Sequence, residues 1–190
     1  MTKKNNEYIA LHNTAYELIE EKSISNIFIQ GAGGLLGTVM TLGADIYAFK
    51  IYSELWDEIR DLYGHEPFKA EEVSSIIPKL GEEIISDIAL DKVLGYIPVI
   101  GIFTNAICAK TMTWRLGILF SLLSSRGSEL PEDKEIISAV CLIREIYPHK
   151  DMLTFSTPDR NSVLKILSGV ENETVQSFED KVNDALSAFD

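Results

Sequence analysis

The stretch "SISNIFIQGAGGLLGT", residues 23–38, carries the spacing that most resembles chemistry. Gly31, Gly34 and Gly37 stand three apart, behind an Ile27-Phe28-Ile29 run that reads as a short strand. Glycines so placed let a backbone turn tightly and approach a pyrophosphate at a helix N-terminus. Such a site also needs a helix after the turn, a second strand ending in a ribose ligand, and further βα units. The next residues, "TVMTLGADIYAFKIYSELWDEIRDLYG", keep a helical period and offer no second strand. We therefore read Gly31, Gly33, Gly34, Gly37 and Gly43 as small residues that let apolar helices pack closely. NAD(P) binding through Gly31, Gly34 and Gly37 is the remote alternative. No G-x-x-x-x-G-K-[ST] phosphate loop occurs.

The glycine spacing resembles the phosphate turn of the extended short-chain dehydrogenase/reductases. Their Tyr-x-x-x-Lys pair is missing, because Tyr47 and Lys50, like Tyr147 and Lys150, are only three apart. Other chemistry is sparse. His12, His65 and His149 have no partner at helical spacing, which points to surface or capping roles and not to a metal site. The Glu pairs at 20–21, 71–72 and 82–83 lie opposite apolar stripes, where a solvated face accounts for them. Trp56 and Trp114 read as core anchors. Asp45 follows an apolar tract, and its carboxylate is placed to cap a helix or to neutralise Lys110 or Arg115. No catalytic residue, cofactor or metal ligand is assigned, and we expect no enzymatic activity.

The elements that would position these residues are helical. Hydrophobic residues make up 46% of the 190, enough for one domain with a sizeable core. A formal charge of −12 repels phosphate backbones and anionic membrane surfaces at long range, so nucleic acid is excluded as a partner. Cys108 and Cys141 lie in apolar, helical-looking contexts and read as buried free thiols of a reducing compartment. The polar N-terminus has no apolar leader, which makes the cytoplasm the expected location.

Tyr8, Leu11, Ala15, Leu18 and Ile19 share one face of an opening helix. Residues 27–44 then carry no charge. Ile46, Phe49, Ile51, Leu55, Trp56, Ile59 and Leu62 recur at helical spacing until Gly64, which reads as a helix stop. Val73, Ile76, Ile77, Leu80, Ile84 and Ile88 form a stripe interrupted at Pro78. A second uncharged tract fills 93–109. The turn-rich 126–133 reads as a linker between a domain over 1–125 and C-terminal helices over 134–190 that pack on it. Within the latter, "STPDRN" offers an N-cap, and "ENETVQSFEDKVNDALSAF" a final amphipathic helix. The expected fold is all-α, built around a Gly-rich apolar helical hairpin.

Residues of about 33–124 resemble the helical domain of unknown function 697, a module found beside small GTPase domains in bacteria. The resemblance runs through "LGAD" at 42–45, the Leu-Tyr-Gly ending at Tyr63 and Gly64, "FKAEEV", "DKVLGYIPVIG" with Lys92, Pro98 and Gly101, and "AKTMTWRLG" at 109–117. It covers about half of the chain, which contains no GTPase domain. It implies a non-catalytic helical accessory module whose partner is a GTPase, a second copy or the membrane surface. Taken together, the residues expected to have structural or interaction roles are Gly34, Gly37, Gly43, Asp45, Tyr63, Gly64, Pro98, Gly101, Lys110 and Arg115.

The two uncharged tracts approach the length of about 20 residues that spans a bilayer. Asn26, Gln30 and Asn105 interrupt them, however, and amphipathic segments flank them. A helix apolar all round is buried in protein or in lipid, and periodicity does not distinguish the two. The preferred reading buries both tracts centrally in protein. The alternative is an integral membrane protein with spans at 27–44 and 93–123.

Overall fold

A computed structural model describes residues 3–34, 41–69, 98–127, 129–147 and 156–170, with Asp180 and Asp184. These residues form five helices and no strand: α1 (Lys3–Gly34), α2 (Thr41–Leu62), α3 (Pro98–Arg126), α4 (Asp133–Ile146) and α5 (Arg160–Val170). The all-α expectation holds. The stripe at 73–88, Pro78, Lys92, Cys108's side chain, His149 and most of the last amphipathic segment lie outside the described residues.

Ile27-Phe28-Ile29 is helical, as the all-α reading expects: α1 continues through it and runs for 32 residues, about 48 Å of rod. No Pro interrupts it, and its first glycine is Gly31. Several of its polar side chains are occupied within or across the helix. The Ser23 hydroxyl donates to the Glu20 carbonyl at 2.8 Å, and Asn26 Nδ2 donates to Thr113 Oγ1 at 3.0 Å.

Cross-helix contacts fix the directions. Along α1 and α2, Asn26 meets Tyr52, Lys22 meets Glu58 and His12 meets Tyr63, so the two run antiparallel. Trp56 stacks on Phe120 and the His65 ring reaches Ser124, so α2 and α3 run the same way. The chain therefore reverses between Gly34 and Thr41. Tract 27–44 is not one rod but the end of α1 plus the start of α2.

α2 stops where the sequence predicts. Gly64 takes φ +78°, a left-handed conformation strained for residues with a Cβ. Its N–H bonds the Asp61 carbonyl at 2.9 Å, and the His65 N–H bonds the Arg60 carbonyl at 2.9 Å. This pair of bonds is the Schellman closure, which satisfies carbonyls left orphaned by the helix end. α3 opens at Pro98, where a missing N–H costs nothing.

α3 is the axis of the molecule. Every residue from Ala109 to Arg126 is buried, covered by α1, α2, α4 and α5. Of the second tract, 93–109, burial is described for Ala109 alone, which is buried, and the helix stays buried beyond it to Arg126. Three of its hydroxyls bond back into the helix, Thr113 to the Ala109 carbonyl, Ser121 to Gly117 and Ser125 to Leu122, all at 2.7–2.9 Å, while the buried Ser124 hydroxyl makes no hydrogen bond. Trp114 and Trp56 are core anchors, the first 4.8 Å from the Tyr16 ring and the second stacked on Phe120 at 4.5 Å. Large side chains buried like this contribute about 1.5–3 kcal/mol each.

α4 and α5 pack on the same core through Ile136, Leu142, Ile143, Val163 and Leu167. Arg126 ends α3 and Asp133 begins α4, with Glu129 and Leu130 exposed and Pro131 buried between them.

Candidate interaction site

The two ends of the three long helices differ in kind. At one end lie the N-terminal half of α1, the C-terminus of α2 and that of α3, joined by α4 and α5. Here buried polar groups are matched across elements. His12 is fully buried, and its Nδ1 is hydrogen-bonded to the Tyr63 hydroxyl at 2.7 Å. This corrects the surface role expected for His12. His65, half-buried, donates from Nε2 to the Ser124 carbonyl at 2.9 Å. Arg60 donates from Nε to the Glu66 carbonyl at 2.7 Å and lies 3.5 Å over the Phe68 ring centroid. Arg115 donates twice to the Tyr147 carbonyl, at 3.1 and 3.3 Å, tying α3 to the end of α4. Arg160 bonds Asn13 and Glu17, and Asp159 caps α5 through the Ser162 N–H at 2.8 Å.

The buried ion pair here is Arg126 with Glu135, 3.1 Å between Nε and Oε1. The two charges are close, but the N–H is not aimed at the oxygen, so neither atom makes a hydrogen bond. Glu135 Oε2 instead accepts the Glu132 N–H at 2.8 Å, closing the start of α4. Burial pushes the Glu135 carboxyl above its ordinary range, against the opposing pull of that N–H and of Arg126. Lys110, on α3, is also buried, and burial lowers its pKa against the charge of Glu20.

At the opposite end stand the C-terminus of α1 and the N-termini of α2 and α3. The sequence carries no charge over 27–44 or 93–109, and the described ends of these three helices fall within those two tracts. Gly34 closes α1, Gly43 lies in the first turn of α2, and Pro98 and Gly101 lie in the first turn of α3. The structure thus brings these four to one end, while Tyr63 and Gly64 sit at the other. Gly37 and the side chain of Asp45 lie outside the described residues.

One face of α1 remains open along its length. Glu7, Ala10, Thr14, Glu17, Glu21, Ile24 and Phe28 recur at alternating three- and four-residue steps and are all exposed. This stripe is mostly polar up to Glu21 and apolar after it. Ile24 is 51% and Phe28 72% exposed, an unusual position for large apolar side chains one turn apart. Sequence periodicity missed the pair because it assigns apolar residues to the core by default.

This end does not have the form of a pyrophosphate site. Gly31, Gly33 and Gly34 lie at the C-terminal end of α1, where unpaired carbonyls present partial negative charge, and no strand precedes them. Among the glycines whose surroundings are described, a tight contact stands at Gly117 of α3. A Cβ there would stand 2.5 Å from Cγ1 and 2.8 Å from Cγ2 of the buried Ile19 on α1. Gly117 belongs to the "AKTMTWRLG" motif, but its role needed α1 to become visible. Among the described residues no group of three or more His, Cys, Asp or Glu is gathered as for a metal ion. Cys141 is a free thiol and only half-buried. Among the same residues, no helix is long and apolar enough to cross a membrane.

No family model, no curated protein and no solved structure matches the chain.

Proposed function

We propose that the chain is a non-catalytic helical accessory module that holds a protein partner on the apolar end of α1. The observation that carries this reading is the exposed pair Ile24 and Phe28, one turn apart on α1. Solvent-facing apolar residues gathered at one place mark binding surfaces, and interface cores are depleted in charge. The buried polar side chains at the other end are engaged in joining helices, which is a structural use. The resemblance of residues 33–124 to the GTPase-associated helical family supports a GTPase domain on a separate chain as the partner, in the cytoplasm.

The test is site-specific photo-crosslinking in cells, with benzoylphenylalanine placed at Phe28 and, as a control, at the exposed Ile137 of α4. A protein adduct at position 28, well above that at 137, is expected, and a GTPase domain in the adduct identifies the partner. Equal labelling at both positions, or capture of lipid alone at position 28, overturns the reading.

A further inference from the structure

We infer that the joint between α3 and α4 is a proton-operated latch. A proton taken up at Glu135 holds the start of α4 down on α3, and loss of that proton lets this end lift while the far end stays anchored. Arg126 closes α3 and Glu135 lies in the first turn of α4, both buried, with 3.1 Å between Nε and Oε1. The same guanidinium stands 3.8 Å from the Glu129 carboxylate, and Glu132 adds a further negative charge facing Glu135. One buried cation thus serves three carboxylates. Lys134, exposed on α4, is the other cation whose charge reaches Glu135.

The geometry sets the sign. An ionised carboxylate offers about four lone-pair sites. Glu135 is 0% exposed and accepts a hydrogen bond from the Glu132 N–H, while its Oε1 and the Nε of Arg126 make none. A charge so poorly matched and out of water is costly, and taking up a proton removes it. Burial accordingly raises the Glu135 pKa, against the pull of the Glu132 N–H, Arg126 and Lys134.

The two ends of α4 are held differently. At the far end the Tyr147 carbonyl accepts two bonds from Arg115, and the Tyr147 hydroxyl donates to the Ser156 carbonyl at 2.7 Å. At the near end Ile136 is the buried apolar neighbour of Glu135, and the exposed Glu129 and Leu130 lead into the helix. Lifting this end returns Glu135 to water, where its pKa is the ordinary 4.5. The closed joint binds the proton more tightly than the lifted one. Lifting therefore becomes easier as pH rises from 4.5 through the raised value, and is constant outside that window.

Amide hydrogen exchange of the full chain, corrected for intrinsic rates, tests this. Amides 136–140 are expected to exchange through an opening smaller than global unfolding, with protection below that of 114–122 in α3. Their protection is expected to fall as pH rises above 4.5 and then to level off. Glu135→Gln keeps the side chain's length and its acceptor for the Glu132 N–H, with no charge to gain. Its protection is expected to stay at the wild type's acid level at every pH. Carboxyl-carbon NMR of the wild type needs no variant: the Glu135 resonance is expected to titrate above 4.5, at the midpoint seen in exchange. A Glu135 midpoint at or below 4.5 overturns the inference. So does protection of 136–140 equal to that of 114–122 at every pH, or an unchanged pH dependence in Glu135→Gln.

Discussion

The two ends of this helical bundle handle polarity in opposite ways. At the charged end, groups such as His12, Arg60, Arg115, Arg126 and Glu135 are buried and matched to carbonyls, rings or opposite charges from other elements. At the uncharged end, charge is omitted over two long tracts, and the exposed apolar pair sits beside them. The first arrangement specifies how the helices join, since a buried polar atom tolerates few alternative partners. The exposed pair makes no such match and leaves two large apolar side chains facing out.

The contrast predicts large stability losses at the charged end and none at the exposed pair. Arg126→Met leaves Glu135 buried beside no cation and is expected to cost about 3–5 kcal/mol in urea denaturation. Adding Glu135→Leu is expected to recover most of that loss. The pH dependence has a definite sign. Glu135 has a raised folded pKa, so the folded state holds its proton more tightly than the unfolded chain. Its contribution therefore favours folding as pH falls from that raised value toward the ordinary 4.5, and opposes it as pH rises through the same window. A double variant no more stable than Arg126→Met would mean that the ion pair does not distinguish the two ends.

Gly117→Ala comes next. The added methyl meets Ile19 near its branch point, not at a flexible tip, and both residues lie in the core. A loss of about 1–3 kcal/mol in thermal or chemical unfolding is expected. If Ala is tolerated without loss, α1 and α3 do not pack backbone to backbone at this point.

Asp159→Ala is smaller. The Ser162 N–H and hydroxyl hold the Asp159 carboxyl below its ordinary value, and the group is solvent-exposed. A depressed folded pKa stabilises the fold above the unfolded value of 3.8 and loses that contribution as pH falls through the folded one. The stability gap between wild type and Asp159→Ala is therefore expected to be constant at neutral pH and to close in acid, as thermal melts across pH will test. The smallest expected effect on folding is that of Phe28→Glu. At 72% exposure the side chain contributes little to the core, so the chain's stability is expected to stay within about 0.5 kcal/mol of wild type in urea denaturation. A large loss would make Phe28 a core residue and abolish the contrast between the ends.

Much of the helical text was legible because it is local. The 3.6-residue recurrence of Leu55, Trp56 and Ile59, the stop at Gly64 and the cap before α5 all act within a few residues. The continuity of α1 through 27–29 was not legible, since a short apolar run suits strand and helix equally. The burial of His12 and Asn26 was equally hidden, because their partners Tyr63 and Thr113 lie 51 and 87 positions away.

The helical class, the stop of α2 and the two tracts without charge could all be read from the chain unaided, because each depends on near neighbours or on composition. The remainder came from packing. It split tract 27–44 between two antiparallel helices, set Gly117 tightly against Ile19, joined His12 to Tyr63 and Asn26 to Thr113, and left Phe28 facing out. Those outcomes depend on which residues meet across helices, and helical periodicity within one segment carries no record of what will pack against it.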